Sequence, residues 1–236
     1  MMRMLRLELR KTNIRPYCIA SAVIFLFSLG LSYIFAYVPT LDSGSQNSAI
    51  LFSTYQGIMS INGAIILMAC SAVASAMGYR YVIREYCGSQ AILLFSYPVR
   101  QKRILWAKTM LLLAFTSMTV IFIALGGFVI FALTANMLSL VNDRLMLAHF
   151  AAALRNSFVV ACLTSGIALC SVRIGFIRRS NSTTVISAII SSMLLANAVA
   201  AIHTNFSEIL LLAIIFLLAG ILLTLNLAKA IEKMEL

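Results

Sequence analysis

The chain has 236 residues, 62% of them hydrophobic and 11% charged, with a mean hydropathy of +1.00 and a formal charge of +11. Soluble domains carry about 45–50% apolar and about 25% charged residues, so this composition excludes a water-soluble globular fold and points to a protein embedded in a bilayer. The basic excess would suit nucleic acid, but its placement along the chain argues against that partner.

Residues 1 to 15, MMRMLRLELRKTNIR, place Met2, Leu5 and Leu9 on one helical stripe and Arg3, Arg6 and Arg10 on another, and Pro16 ends the pattern. This predicts an N-terminal amphipathic helix lying in the membrane interface. A hydrocarbon core about 30 Å thick takes about 20 apolar helical residues. Charge-free windows at 16–41, 43–79, 109–142, 156–172, 180–207 and 209–228 predict six spans, at about 17–38, 55–77, 104–133, 148–172, 183–201 and 209–227, the third and fourth reaching past Lys108 and Arg155. The first follows a basic segment and is too long for a cleavable signal, so it is expected to be retained. The apolar runs are continuous rather than alternating, which calls for helices, because a barrel strand alternates. The expected fold is an all-α membrane protein in which residues 1–236 form a single transmembrane domain.

With both termini cytoplasmic, 16 of the 18 Lys and Arg residues fall on the inside, Arg144 and Arg155 being the exceptions. The positive-inside rule therefore sets the orientation, and the net charge is a matter of topology and anionic lipid. In that orientation Cys18, Cys70, Cys87, Cys162 and Cys170 lie in spans or on the cytoplasmic side, so no disulfide is expected. Cys162 and Cys170 share a span without His or carboxylate neighbours and read as packing residues rather than metal ligands.

Between the second and third spans runs REYCGSQAILLFSYPVRQKRILWAK, residues 84 to 108. Residues 84 to 97 are too short to cross the bilayer, so their apolar face must rest on the membrane surface, the bundle or another protein. On the residues alone, a membrane-surface helix is the favoured reading.

Glu85, Gly88 and Ser89 in an E-x-x-G-S pattern, the Leu-rich run, Tyr97-Pro98-Val99, then Ile104-Leu105 and Lys108, resemble the second-to-third-span connection of type-2 ABC exporter permeases. Glu8 in LRLELRK and the six-span layout are similar to that family too. The segment departs from the commonest pattern at Arg100-Gln101, where a small residue and then Arg often follow the Pro-Val.

The resemblance implies a cytoplasmic coupling helix seated in an ABC ATPase, with Arg84, Glu85, Gly88, Ser89, Pro98 and Arg103 as ATPase-coupling residues. It implies a partner ATPase dimer carrying ATP and Mg, and a second permease subunit, identical or homologous. It also implies a multi-pass location in a bacterial inner membrane and a cargo such as antimicrobial peptides or drugs. The chain has no Gly-Lys dipeptide, so it builds no phosphate-cradling loop and is not expected to be an enzyme. No cofactor, metal or nucleic acid is expected on it. An intramembrane protease would need paired acids or His clusters at membrane depth, which are lacking in the sequence. A scaffold or sensor that recruits a cytoplasmic partner through residues 84 to 97 is the alternative function.

Polar groups at membrane depth are costly and are functional candidates. Gln56 and Asn62 in the second span, Arg155 in the fourth and Asn197 in the fifth are the candidate substrate-path residues, and the resemblance implies that the second and fifth spans line the path. Interhelical hydrogen bonding is the plainer role for the amides, and snorkelling to the outer headgroups the plainer role for Arg155. Ser187, Ala188, Ser191, Ser192 and Ala196 recur at helical spacing and read as a packing stripe. His149 and His203, beside Asp143 and Glu208, could in principle make a pH-sensitive or metal site, but read better as ordinary interfacial residues.

Overall fold

A computed structural model describes residues 14–41, 52, 54–84, 101–138 and 146–232. Six helices follow in chain order: α1 (Arg15–Leu41), α2 (Tyr55–Gly78), α3 (Gln101–Leu138), α4 (Leu147–Arg178), α5 (Asn181–Ala200) and α6 (Phe206–Glu232). A π-helix, Tyr79–Ile83, continues α2. All six are long and apolar enough to cross a membrane, and the chain is a multi-pass helical membrane protein. Residues 1–13 of the predicted interfacial helix and nearly all of the connection at 84–97 lie outside the described residues, while Arg15 already belongs to α1.

Five helices contain their predicted spans and α5 stops one residue short of its own, at Ala200; most overrun the predicted bounds. At 38 residues and 1.5 Å per residue, α3 is about 57 Å long, well beyond the hydrocarbon thickness. The cause is that charge marks where lipid ends, whereas a helix continues until its backbone loses its ladder of hydrogen bonds. Local caps decide the boundaries. The Thr54 hydroxyl accepts from the Gly57 N–H at 3.3 Å and opens α2. Arg179, at φ 50°, takes the left-handed conformation that closes α4.

Three apolar clusters stack along the bundle. At one end Tyr81, Val82, Leu105, Leu112, Val172, Phe176 and Leu227 meet. At the other Ala36, Tyr55, Ile58, Phe131, Ala132 and Ala153 meet. A central cluster around Leu67, Ile123, Leu163, Ile167 and Ala213 joins the two. This pairing requires the helices to alternate in direction. It also brings Arg15, Arg80, Arg84, Lys108, Arg173, Arg178 and Arg179 to the first of these ends, called the basic end below.

α4 is the hub. In its apolar window 72% of residues are buried inside the bundle, against 11% for α1, which leans mainly on α2 and α3. Between α1 and α3 an apolar groove of about 480 Å³, lined by residues such as Ala22, Phe25, Phe115 and Phe122, opens sideways. By contrast α4 and α6 touch along their backbones. A Cβ placed on Gly166 would lie 2.8 Å from the Phe216 carbonyl carbon, and one on Gly220 would lie 2.9 Å from the Leu169 Cβ. Lipid tails are as apolar as Leu, so close approach through small residues, rather than hydrophobic burial, holds such helices together. On α5 the buried face is Thr184, Ala188, Ser192, Leu195 and Val199, and it lies on α2 and α4.

Replacing Gly166 by Ala is expected to force α6 outward and to destabilise the purified protein by roughly 1–3 kcal/mol, as overpacking does. Gly30, whose Cβ would meet nothing within 4 Å, should tolerate the same change. Thermal denaturation in detergent checks this: equal midpoints for the two variants would show that the α4–α6 approach does not hold the bundle.

Candidate functional site

Two polar features stand out in this apolar bundle, one at the basic end and one in the half away from it. The first begins with the π-helix. Its wider turn is closed by the Arg84 N–H donating to the Tyr79 carbonyl, five residues back. Such insertions recur at functional positions. Lys108, in the second turn of α3, is only 4% exposed, and its Nζ donates to the Tyr81 carbonyl at 3.3 Å. The aromatic rings of Tyr81 and Tyr17 lie 5.7 Å apart, which ties the start of α1 to the same place. An ammonium in an apolar cluster is costly unless it is hydrogen-bonded, so this contact fixes where α2 ends relative to where α3 begins. Those are the two ends of the 84–108 segment.

Arg84, exposed, is the first residue beyond the π-helix. Glu85, Gly88, Ser89 and Pro98 lie outside the described residues. Arg103 is in the first turn of α3, and its side chain is not among those described.

The second feature is a small cavity of about 30 Å³ where α1, α2, α3 and α4 meet. Asn62 enters it from α2 and Asn156 from α4, with Tyr55, Phe128 and Ser157 among the wall residues. The orientation of Asn62 follows from its neighbours. Ser32 gives its hydroxyl proton to the Ser28 carbonyl at 2.9 Å, so its Oγ can accept, and it does so from Asn62 Nδ2 at 2.9 Å. Asn62 therefore bridges α1 to α2 through its Nδ2, which leaves its Oδ1 to find a donor elsewhere. Oδ1 of Asn62 and Oδ1 of Asn156 are both buried and meet no donor among the described residues.

The remaining polar residues named from sequence are elsewhere. Gln56 and Asn197 are exposed on the outside of the bundle. Arg155 is exposed as well, its guanidinium 3.9 Å above the Phe206 ring at the start of α6, a cation–π contact that leaves it outside the cavity wall. Its neighbour Asn156 is the residue that α4 turns inward. Of the four candidate path residues, then, the structure brings only Asn62 into the cavity, and Asn156 is the partner that sequence reasoning missed.

His149, read from sequence as an ordinary interfacial residue, lies in the first turn of α4. His149 is buried, its ring lies 5.7 Å from that of Tyr55, and its Nδ1 accepts from the Met146 N–H at 3.1 Å, capping α4. His203 is exposed in the turn before α6.

Lys108→Met keeps the length and apolar stem but removes the donor to the π-helix. It is expected to cost roughly 1–3 kcal/mol, the scale of one hydrogen bond from a charged donor, and to speed amide hydrogen exchange in residues 79–84. Exchange mass spectrometry reads this directly; unchanged protection would remove Lys108 from the role of clasp.

No family model and no solved structure matches the chain. It is similar to a protein of Bacillus subtilis (strain 168) named "Uncharacterized protein YcbO", at 24% identity over 208 residues, covering 83% of this chain and 84% of that protein.

Proposed function

We propose that the chain is the membrane-spanning permease subunit of an ATP-driven exporter, working with a separate ABC ATPase dimer and a second permease subunit. The observation that carries this reading is the 84–108 segment. Its residues resemble a coupling helix, and its two flanks are anchored together at the basic end of the bundle by Lys108 and the π-helix. A push on a segment held at both flanks is transmitted to α2 and α3 instead of being absorbed by a slack loop.

The positive-inside rule puts the basic end and both termini in the cytoplasm of the cell membrane, where such an ATPase would dock. ATP binding would draw two ATPase subunits together, each pressing on one coupling segment through charge-assisted contacts from Arg84, Glu85 and Arg103. The permease contributes two packings of one bundle and no covalent chemistry. The division seen here suits that task, with α4 and α6 locked by backbone approach and α1 held lightly. Antimicrobial peptides or drugs are the proposed cargo, from the family resemblance alone. The alternative, a scaffold or sensor that recruits a partner through the same segment, predicts binding without ATP-dependent movement.

Affinity purification of the chain from its own host is expected to bring down a protein with a phosphate-binding loop, whose ATP hydrolysis in lipid rises when the permease is present. Glu85→Ala should insert normally yet weaken that complex by roughly tenfold or more, the scale of one charge-assisted hydrogen bond. An ATPase-free preparation, or full coupling in the Glu85 variant, would defeat the proposal.

A further inference from the structure

We infer that the cavity between Asn62 and Asn156 is a buried hydration site, in which ordered water donates hydrogen bonds to the Oδ1 atoms of both asparagines and so joins α2 to α4. The inference stands apart from the exporter reading and does not need it.

The first support is the unmet demand. Asn62 and Asn156 are 9% and 7% exposed, and each presents a buried carbonyl oxygen that lacks a donor among the described residues. Native proteins rarely leave such groups unserved, because each costs about 1–3 kcal/mol. No wall donor, the Tyr55 hydroxyl included, is within hydrogen-bond reach of either Oδ1. Ser32 donates to the Ser28 carbonyl, and Ser157 to the Leu154 carbonyl at 2.8 Å.

The second support is size. A void needs about 10–15 Å³ to admit a water, so about 30 Å³ holds on the order of two. An amphiphile or a peptide side chain does not fit.

The third is charge. A metal or alkali cation could use amide oxygens, but the wall residues are Ser, Tyr, Asn and apolar types, with no carboxylate among them. A bare charge at membrane depth without a counter-charge is heavily penalised. Water supplies two O–H donors per molecule, matches two orphaned acceptors, and brings no charge.

X-ray hydroxyl-radical footprinting tests this, because radicals formed from a trapped water label the side chains touching it even when bulk solvent has no access. In detergent-solubilised wild-type protein, Tyr55 and Phe128 are expected to be labelled, while Met77, 0% exposed in the basic-end cluster, serves as the dry control. In N62L/N156L, which keeps side-chain volume and removes both acceptors, labelling of Tyr55 and Phe128 should fall to the background of Met77. If that variant does not fold, the wild-type comparison decides alone: labelling of Tyr55 and Phe128 no greater than that of Met77 overturns the site. So does equal labelling in wild type and a folded N62L/N156L. A melting temperature that rises in sodium chloride over choline chloride, and only with both asparagines present, would overturn water in favour of a cation.

Discussion

Hydrocarbon offers no hydrogen bonds, and the architecture follows from that constraint. Every amide and hydroxyl that the chain carries into the bilayer must find a partner in the chain, or in something the chain traps. The helices satisfy the backbone. Serine and threonine hydroxyls return to carbonyls three or four residues back, as Ser71 does to Met68 at 2.9 Å and Thr164 to Val160 at 2.6 Å. Such hydroxyls are self-sufficient and leave the helix surface free to pack. The asparagine amide has more valences than its own helix can meet, so Asn62 reaches to another helix and, with Asn156, marks where the bundle is polar inside.

The same solvent also weakens the usual reason for helices to associate. Between apolar surfaces that lipid would cover equally well, what distinguishes a protein contact is how near the backbones come. Gly166 and Gly220 supply that nearness for α4 and α6, and the small face of α5 supplies it toward α2 and α4. α1 has no comparable contact, and its outward residues Ile19, Val23, Leu26 and Phe27 are all more than half exposed. The bundle thus divides into a tightly fitted part and a lightly attached first helix.

How far the sequence was legible varies with the physics behind each feature. The six spans were readable because a charge-free window is a one-dimensional property that depends on lipid thickness alone. Their true ends were less so, since Thr54 and Arg179 act through backbone geometry and not through hydropathy. Asn62 was nameable as a buried amide seeking an interhelical partner. Ser32 as that partner was not, because the pairing depends on which faces of α1 and α2 meet. Arg155 drew attention as a charge, while the decisive residue was its neutral neighbour. One residue along a helix is about 100° around it, and only the packed bundle says which of the two faces inward. His149 looked interfacial by position, yet its ring nitrogen serves the backbone of α4, a use that leaves no trace in composition.

The five residues after Gly78 add a final consequence. A π turn holds one residue more than an α turn over the same hydrogen-bonded stretch, so it stores a quantum of rotation inside an otherwise regular rod. Were that surplus residue absorbed into ordinary α geometry, everything attached past Arg84 would swing by about 100° about the rod axis with no hinge or loop involved. The carbonyl gripped by Lys108 belongs to the middle of that turn, so the lysine sits where such a gear change would be felt first.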